Sequence, residues 1–261
     1  MSINPTILDL NSDDPSLLRR LAQQSLRNTA SPMFMIENFG FEQLLQSVVQ
    51  KASSKSKERN QLVEGRTHFD LKTEDTEDDP LFDEFKDEMK ALANRVAIIL
   101  FGEEACAGVE FDGPLSVKSY IGDRGKIEHT KSSDYSDSDV RLGAHIDGNM
   151  FTLLWSNAPG LQVLKPDKDV AAEDLMFYGM PLVGVDPSLD VKDDDFVEVE
   201  ANWASGGLML VTVGRSWFGS SNTLTNDNNL HVKCPVLHRV SFSDREEVRY
   251  SVPYLVSVVN E

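Results

Sequence analysis

The sequence predicts an α+β protein in which a helical N-terminal half packs against a C-terminal β-core of sandwich or jelly-roll type. Three observations carry this. Phe82, Phe85, Met89, Leu92, Val96 and Ile99 recur every three or four residues, the spacing of one apolar face of a long helix. After Gly113-Pro114 the chain changes to short apolar runs separated by Gly, Asp, Asn and Ser turns, the pattern of a many-stranded core. The 261 residues suffice for one good-sized hydrophobic core. One compact unit is therefore expected, with residues 1–113 as a helical and strand region and residues 114–261 as the β-core.

Taken in order, residues 4–10 read as a short strand. Asp13-Asp14-Pro15 then places acidic caps and a proline at the first helical position, opening a helix that runs to about Arg27. Residues 33–39 are an apolar strand ended by Gly40. A second helix follows, with Phe41, Leu44, Leu45, Val48 and Val49 on one face. From 51 to 80 the chain turns polar, first rich in Ser and Lys and then acidic, which predicts a solvated connection before the long helix of 82–101. Runs at 115–121, 151–155, 161–164, 208–213, 236–242 and 248–259 supply the core strands. Residues 167–195 interrupt that series as a long excursion, either a lid or a solvated loop.

Charge narrows the function. The formal net charge of −18 opposes binding to nucleic acid or to anionic membranes, both of which need a basic footprint. An anionic substrate would require a local cation within that field. No run approaches the roughly 18–20 apolar residues of a membrane span. The first residues lack a basic region followed by an apolar run, so a cytoplasmic protein, monomeric or homodimeric, is expected. Cys106 and Cys234 could form one bridge at most and do not make a disulfide scaffold.

The chemistry concentrates in Gly143-Ala144-His145-Ile146-Asp147. On a strand His145 and Asp147 point the same way, about 6–7 Å apart along the backbone, and can serve one metal as neighbours. His238, within the apolar run Val236–Val240, is the best candidate for a third ligand. Two imidazoles and a carboxylate on one face of an ion leave the opposite positions open, the arrangement of non-haem iron(II) oxygenases. Eleven residues further on, Arg249 and Ser251 alternate onto one strand face, where a guanidinium and a hydroxyl suit a carboxylate held in a dry pocket. By the same parity Asn149 and Phe151, and Leu255 beyond Ser251, are candidates to face a substrate; core packing is the equal alternative. His68, His129 and His231 stand in polar surroundings without an evident partner.

With these motifs in order, the sequence resembles the 2-oxoglutarate-dependent and isopenicillin N synthase-like oxygenases along nearly its whole length. The matching segments are Asn4–Leu10, Met33–Gly40, the helix of 82–100, Gly143–Asp147 with Leu153-Leu154, Gly160–Leu164, Leu208–Gly214, Val236–Val240 and Arg249–Tyr254. The resemblance implies a distorted double-stranded β-helix, or jelly roll, with Fe(II) at one mouth held by His145, Asp147 and His238. It implies 2-oxoglutarate as co-substrate, its distal carboxylate on Arg249 and Ser251, and O2 as oxidant of a small molecule's C–H bond. Tyr120 falls where the family has an asparagine-tyrosine pair, serine replacing the asparagine, and is implied as a further co-substrate contact. The chain stops ten residues after Ser251, where relatives often continue in helices. Two other functions fit the same residues: an Fe(II) oxidase that uses no 2-oxoglutarate and binds its substrate's own carboxylate, and a non-catalytic ligand-binding protein. Against the second, a buried His-Asp-His cluster without a metal carries an uncompensated desolvation cost.

Overall fold

The computed structural model describes residues 2–27, 29–56, 66–71, 79–120, 140–171, 174–175, 191–218, 224, 232–241 and 248–259. Two edge strands, β1 (Ser2–Ile3) and β2 (Ile7–Asp9), precede α1 (Pro15–Leu26). The helix starts where the sequence predicts: Pro15 opens it and the Asp14 carboxylate accepts the Leu17 N–H at 2.9 Å. β3 (Met33–Glu37) and α2 (Glu42–Ser56) follow, then β4 (Arg66–Asp70) and α3 (Pro80–Phe101). β4 corrects the expectation of an unbroken polar connection from 51 to 80, since it pairs with β6 (Ser116–Tyr120) along its full length. α3 ends at Gly102, whose φ of 98° suits glycine, and Arg19 of α1 donates to the terminal carbonyls of Ile98 and Ile99. A single turn, α4 (Glu103–Cys106), leads to β5 (Phe111–Asp112).

The C-terminal strands are β7 (Val140–His145), β8 (Phe151–Ser156), β9 (Leu161–Leu164), β10 (Phe196–Val199), β11 (Leu208–Val213), β12 (His238–Ser241) and β13 (Arg249–Val258). They form two sheets. The larger runs β2-β3-β11-β8-β13-β6-β4 with β5 on β13, and the smaller runs β1-β10-β9-β12-β7. Strands from residues 1–113 thus complete both sheets.

Strand alternation sorts the larger sheet into two faces. Phe34 and Ile36, Phe151, Leu153 and Trp155, Met209 and Val211, and Val252, Tyr254 and Val256 meet the helices, where Phe82, Phe85, Met89 and Val96 of α3 are fully buried. Truncating such a core aromatic to alanine costs about 3–5 kcal/mol. The opposite face turns toward the smaller sheet: Met33, Met35, Leu208 and Leu210 pack against Leu161, Val163, Val197 and Val199. This sandwich is the jelly-roll core that the sequence predicts, with helices on one side.

The excursion after β9 lies partly outside the described residues. None of its described residues lines the cavity between the sheets. Val170, Leu175 and Val191 pack with Ala144, Ile146, Phe196 and Leu237 on the smaller sheet's outer side. Arg239 holds the segment there, ion-paired with Asp193, bonded to Gln162 Oε1 at 2.7 Å and stacked 4.2 Å over Phe196. Cys106 and Cys234 are both free thiols. Among the described residues no helix is long and apolar enough to cross a membrane.

Candidate metal centre

His145 and His238 face one another as direct register partners of the antiparallel pair β7–β12. Their rings lie 4.1 Å apart between centroids. Asp147 stands just past the end of β7, on the turn to β8, rather than on the strand itself. Its Oδ1 is 3.8 Å from His145 Nε2 and 3.9 Å from His238 Nε2, and one ligand atom from each residue falls within 4.8 Å of the others. Among the described residues this is the group of side chains that could hold a metal ion.

Backbone hydrogen bonds orient both rings. His145 Nδ1 meets the Gly143 carbonyl at 2.9 Å and His238 Nδ1 meets the Val236 carbonyl at 3.1 Å. A carbonyl only accepts, so each ring donates from Nδ1, and the neutral form of each ring turns its Nε2 lone pair to the shared point. Burial pushes the His145 pKa down to about 3, with help from His238 and against Asp147, which keeps that ring neutral at physiological pH. Burial would raise the Asp147 carboxyl, but positive charge on His238 and His145 when protonated, together with the Thr152 hydroxyl, outweighs it and places the carboxyl below the usual carboxylate range. The donor set is therefore two imidazole nitrogens and one carboxylate.

A second layer of contacts aims the carboxylate. The Thr152 hydroxyl donates to Asp147 Oδ2 at 2.6 Å, while Asn149 Nδ2 donates to Thr152 Oγ1 at 3.0 Å and to the Phe151 carbonyl at 2.6 Å. Oδ2 is thereby occupied and Oδ1 is left toward the imidazoles. The turn itself is clasped by the end of β11. Gly214, Arg215 and Ser216 donate their N–H groups to the carbonyls of Met150, Asp147 and Asn149 at 2.9, 2.8 and 3.1 Å. A Cβ on Gly214 would sit 2.2 Å from the Asn149 oxygen, so this approach requires glycine.

The cavity beginning at the triad runs between the sheets to Arg249 and Ser251. On β13 these two pair across β6 with Tyr120 and Lys118 respectively. Arg249 is 3% exposed. Its Nε donates to the carbonyls of Ala158 and Pro159 at 3.3 and 3.1 Å, and its guanidinium lies 5.2 Å over the Tyr120 ring. Its Nη1 is buried without a hydrogen-bond partner among the described residues. Burial pushes the Arg249 pKa down, although a guanidinium stays charged.

The structure thus brings together His145, Asp147, His238, Tyr120, Arg249, Ser251 and Leu255 around one cavity. Asn149 and Phe151 point elsewhere. Asn149 is buried in the turn, bonded to Thr152, and Phe151 packs in the helix-side core, 6.4 Å from the Phe111 ring. The reason is a change of parity. β7 stops at His145, the turn inserts residues that do not alternate, and β8 restarts with Thr152 and Leu154 facing the cavity. Thr152, Lys118 and Gly214 were not visible as site residues: a lone threonine, lysine or glycine has no spacing signature. His129 and His231 lie outside the described residues, and His68 falls on β4.

No family model and no curated protein sequence matches the chain. Solved structures do match it, and the fold they share with it is that of 2-oxoglutarate and iron(II) oxygenases. The dioxygenase for auxin oxidation 1 from Arabidopsis thaliana, solved with 2-oxoglutarate, matches with a TM-score of 0.62 at 13% identity, covering 98% of this chain and 94% of that one. A full-length Neurospora crassa protein, solved in complex with alpha-KG, gives 0.61 at 15% identity over 97% and 85% of the chains. JOX2, solved with 2OG, Fe and JA, gives 0.61 at 15% identity over 100% and 77%.

Proposed function

We propose that this protein is a non-haem Fe(II) and 2-oxoglutarate-dependent oxygenase that oxidises a C–H bond of a small molecule, of the amino-acid or specialised-metabolite kind. One observation carries the proposal: two imidazole Nε2 atoms and an aimed carboxylate oxygen converge at one end of a cavity whose other end holds a buried, partly unsatisfied guanidinium. Three ligands on one side of an ion suit iron(II) with open positions better than structural zinc, whose sites are usually closed by four ligands. The solved structures of the same fold were obtained with 2-oxoglutarate, and one with iron as well, which supports the same assignment.

Each residue then has a task. His145, Asp147 and His238 hold the metal, and Thr152 keeps Asp147 turned toward it. Arg249 and Ser251 take the distal carboxylate of 2-oxoglutarate, the Nη1 donor gaining the partner it lacks. Tyr120 supports the guanidinium from beneath. Leu142, Leu154, Leu161 and Val240 line the cavity between the two ends and exclude water. Iron(II) with 2-oxoglutarate and O2 supplies an oxidant able to break a C–H bond. Placement of the substrate then decides among hydroxylation, desaturation and ring closure.

The test is O2 uptake by the Fe(II)-loaded protein over a panel of amino acids and small metabolites, with and without 2-oxoglutarate, with succinate measured alongside. Uptake that needs both Fe(II) and 2-oxoglutarate, with matching succinate, is the expected result. Uptake without 2-oxoglutarate would reassign Arg249 and Ser251 to the substrate's own carboxylate. No metal-dependent uptake on any member would contradict the enzyme assignment.

A further inference from the structure

Lys118 brings a second basic side chain into the cavity, and the co-substrate does not account for it. On β6 it shares with Tyr120 the face that lines the cavity, while Leu115 and Val117 belong to the helix-side core. Across the sheet it pairs with Ser251. It is half-buried and has no ion pair among the described residues. Lys118 thus lines the same cavity as the triad and the Arg249 guanidinium.

Charge balance says what it is for. Of the described residues lining the cavity, the acid is Asp147 and the bases with fixed charge are Lys118 and Arg249. On the function proposed above, Arg249 offsets one carboxylate of the 2-oxoglutarate dianion. The metal, already partly neutralised by Asp147, offsets the other. The Lys118 ammonium is left as the uncompensated charge, and a half-buried charge gains most from a partner of opposite sign. The chain as a whole repels anions, with its net charge of −18, so an anionic substrate depends on such a local cation. A compact ammonium on a flexible stem suits a single carboxylate approaching from the mouth.

We propose that Lys118 is the specificity-determining residue of this site and that the substrate carries a carboxylate, held by the Lys118 ammonium within this cavity. This rests on the oxygenase assignment for the site, but it goes further by naming the substrate's charge.

The experiment is anaerobic calorimetry on protein loaded with Fe(II) and 2-oxoglutarate. The probes are phenylacetate, hexanoate and N-acetylphenylalanine, each against its own primary amide, which keeps the shape and removes the charge. At least one carboxylate should bind tenfold or more tightly than its amide at low salt, with the preference shrinking as ionic strength rises. Lys118→Met, which keeps an apolar stem, should abolish the preference, and Lys118→Arg should retain it. Thermal melting of both variants verifies that the fold survives. The proposal is overturned if no carboxylate is preferred in the wild-type protein, or if the preference persists in Lys118→Met. It is also overturned if Lys118→Met weakens 2-oxoglutarate as much as the carboxylate probe, since the lysine would then serve the co-substrate. The loading step separates the two claims: protein that takes up neither Fe(II) nor 2-oxoglutarate sinks both, while loaded protein indifferent to the carboxylate sinks this one alone.

Discussion

The two ends of the cavity are built on opposite principles. At the metal end the protein satisfies its own side chains: both imidazoles donate from Nδ1 to carbonyls, and Asp147 Oδ2 is held by Thr152. Only the three atoms aimed at one point remain free. At the far end Arg249 is buried, and among the described residues its Nη1 lacks a hydrogen-bond partner and no ion pair reaches it. The first end is preorganised; the second keeps an unpaired donor among the described residues. A buried donor left unpaired is costly to the apo-protein and rewards a carboxylate that relieves it.

That contrast predicts different consequences of mutation at the two ends. The largest effect belongs to His238→Ala, which removes a ligand outright. Fe(II) affinity, measured by anaerobic titration, should fall by more than the ~10–100-fold that losing an outer partner of a metal ligand costs. Next is Arg249→Met. Loss of a buried charge pair, worth about 2–5 kcal/mol, should weaken 2-oxoglutarate by at least ~30-fold. Because the guanidinium is already under-satisfied, the apo-protein's melting temperature should change little or rise. A large fall in melting temperature together with intact 2-oxoglutarate binding would break the contrast. Thr152→Val should cost Fe(II) affinity about 10–100-fold with 2-oxoglutarate binding to the metal-loaded protein much less altered. Gly214→Ala should be the mildest for binding. It forces the turn away from β11 and should lower stability by about 1–3 kcal/mol in denaturant unfolding, with a smaller loss of metal affinity.

How much of this was legible in the sequence depended on whether the signal was local. The cap at Asp14 and the apolar stripe of α3 are written in neighbouring residues, and both elements form as the pattern predicts. Arg249, Ser251 and Leu255 share a face because β13 is one unbroken strand, so counting by twos holds from end to end. The same counting fails for Asn149 and Phe151, since β7 ends at His145 and the turn resets the parity. β4 was missed because Arg-Thr-His-Phe-Asp is too polar to announce a strand; its reason to be extended is the edge of β6. Lys118 and Thr152 acquire meaning only from neighbours distant in sequence or across a turn.

The central claim is that one cavity holds iron at the triad and 2-oxoglutarate between the triad and Arg249. Anaerobic titration of the apo-protein with Fe(II) and then 2-oxoglutarate, followed in the visible for the weak metal-to-ligand charge-transfer band, tests it most directly. A band in the wild-type protein that is absent in both His238→Ala and Arg249→Met is the predicted result. Stoichiometric iron without a band would contradict the co-substrate site, and failure to bind iron would contradict the whole account.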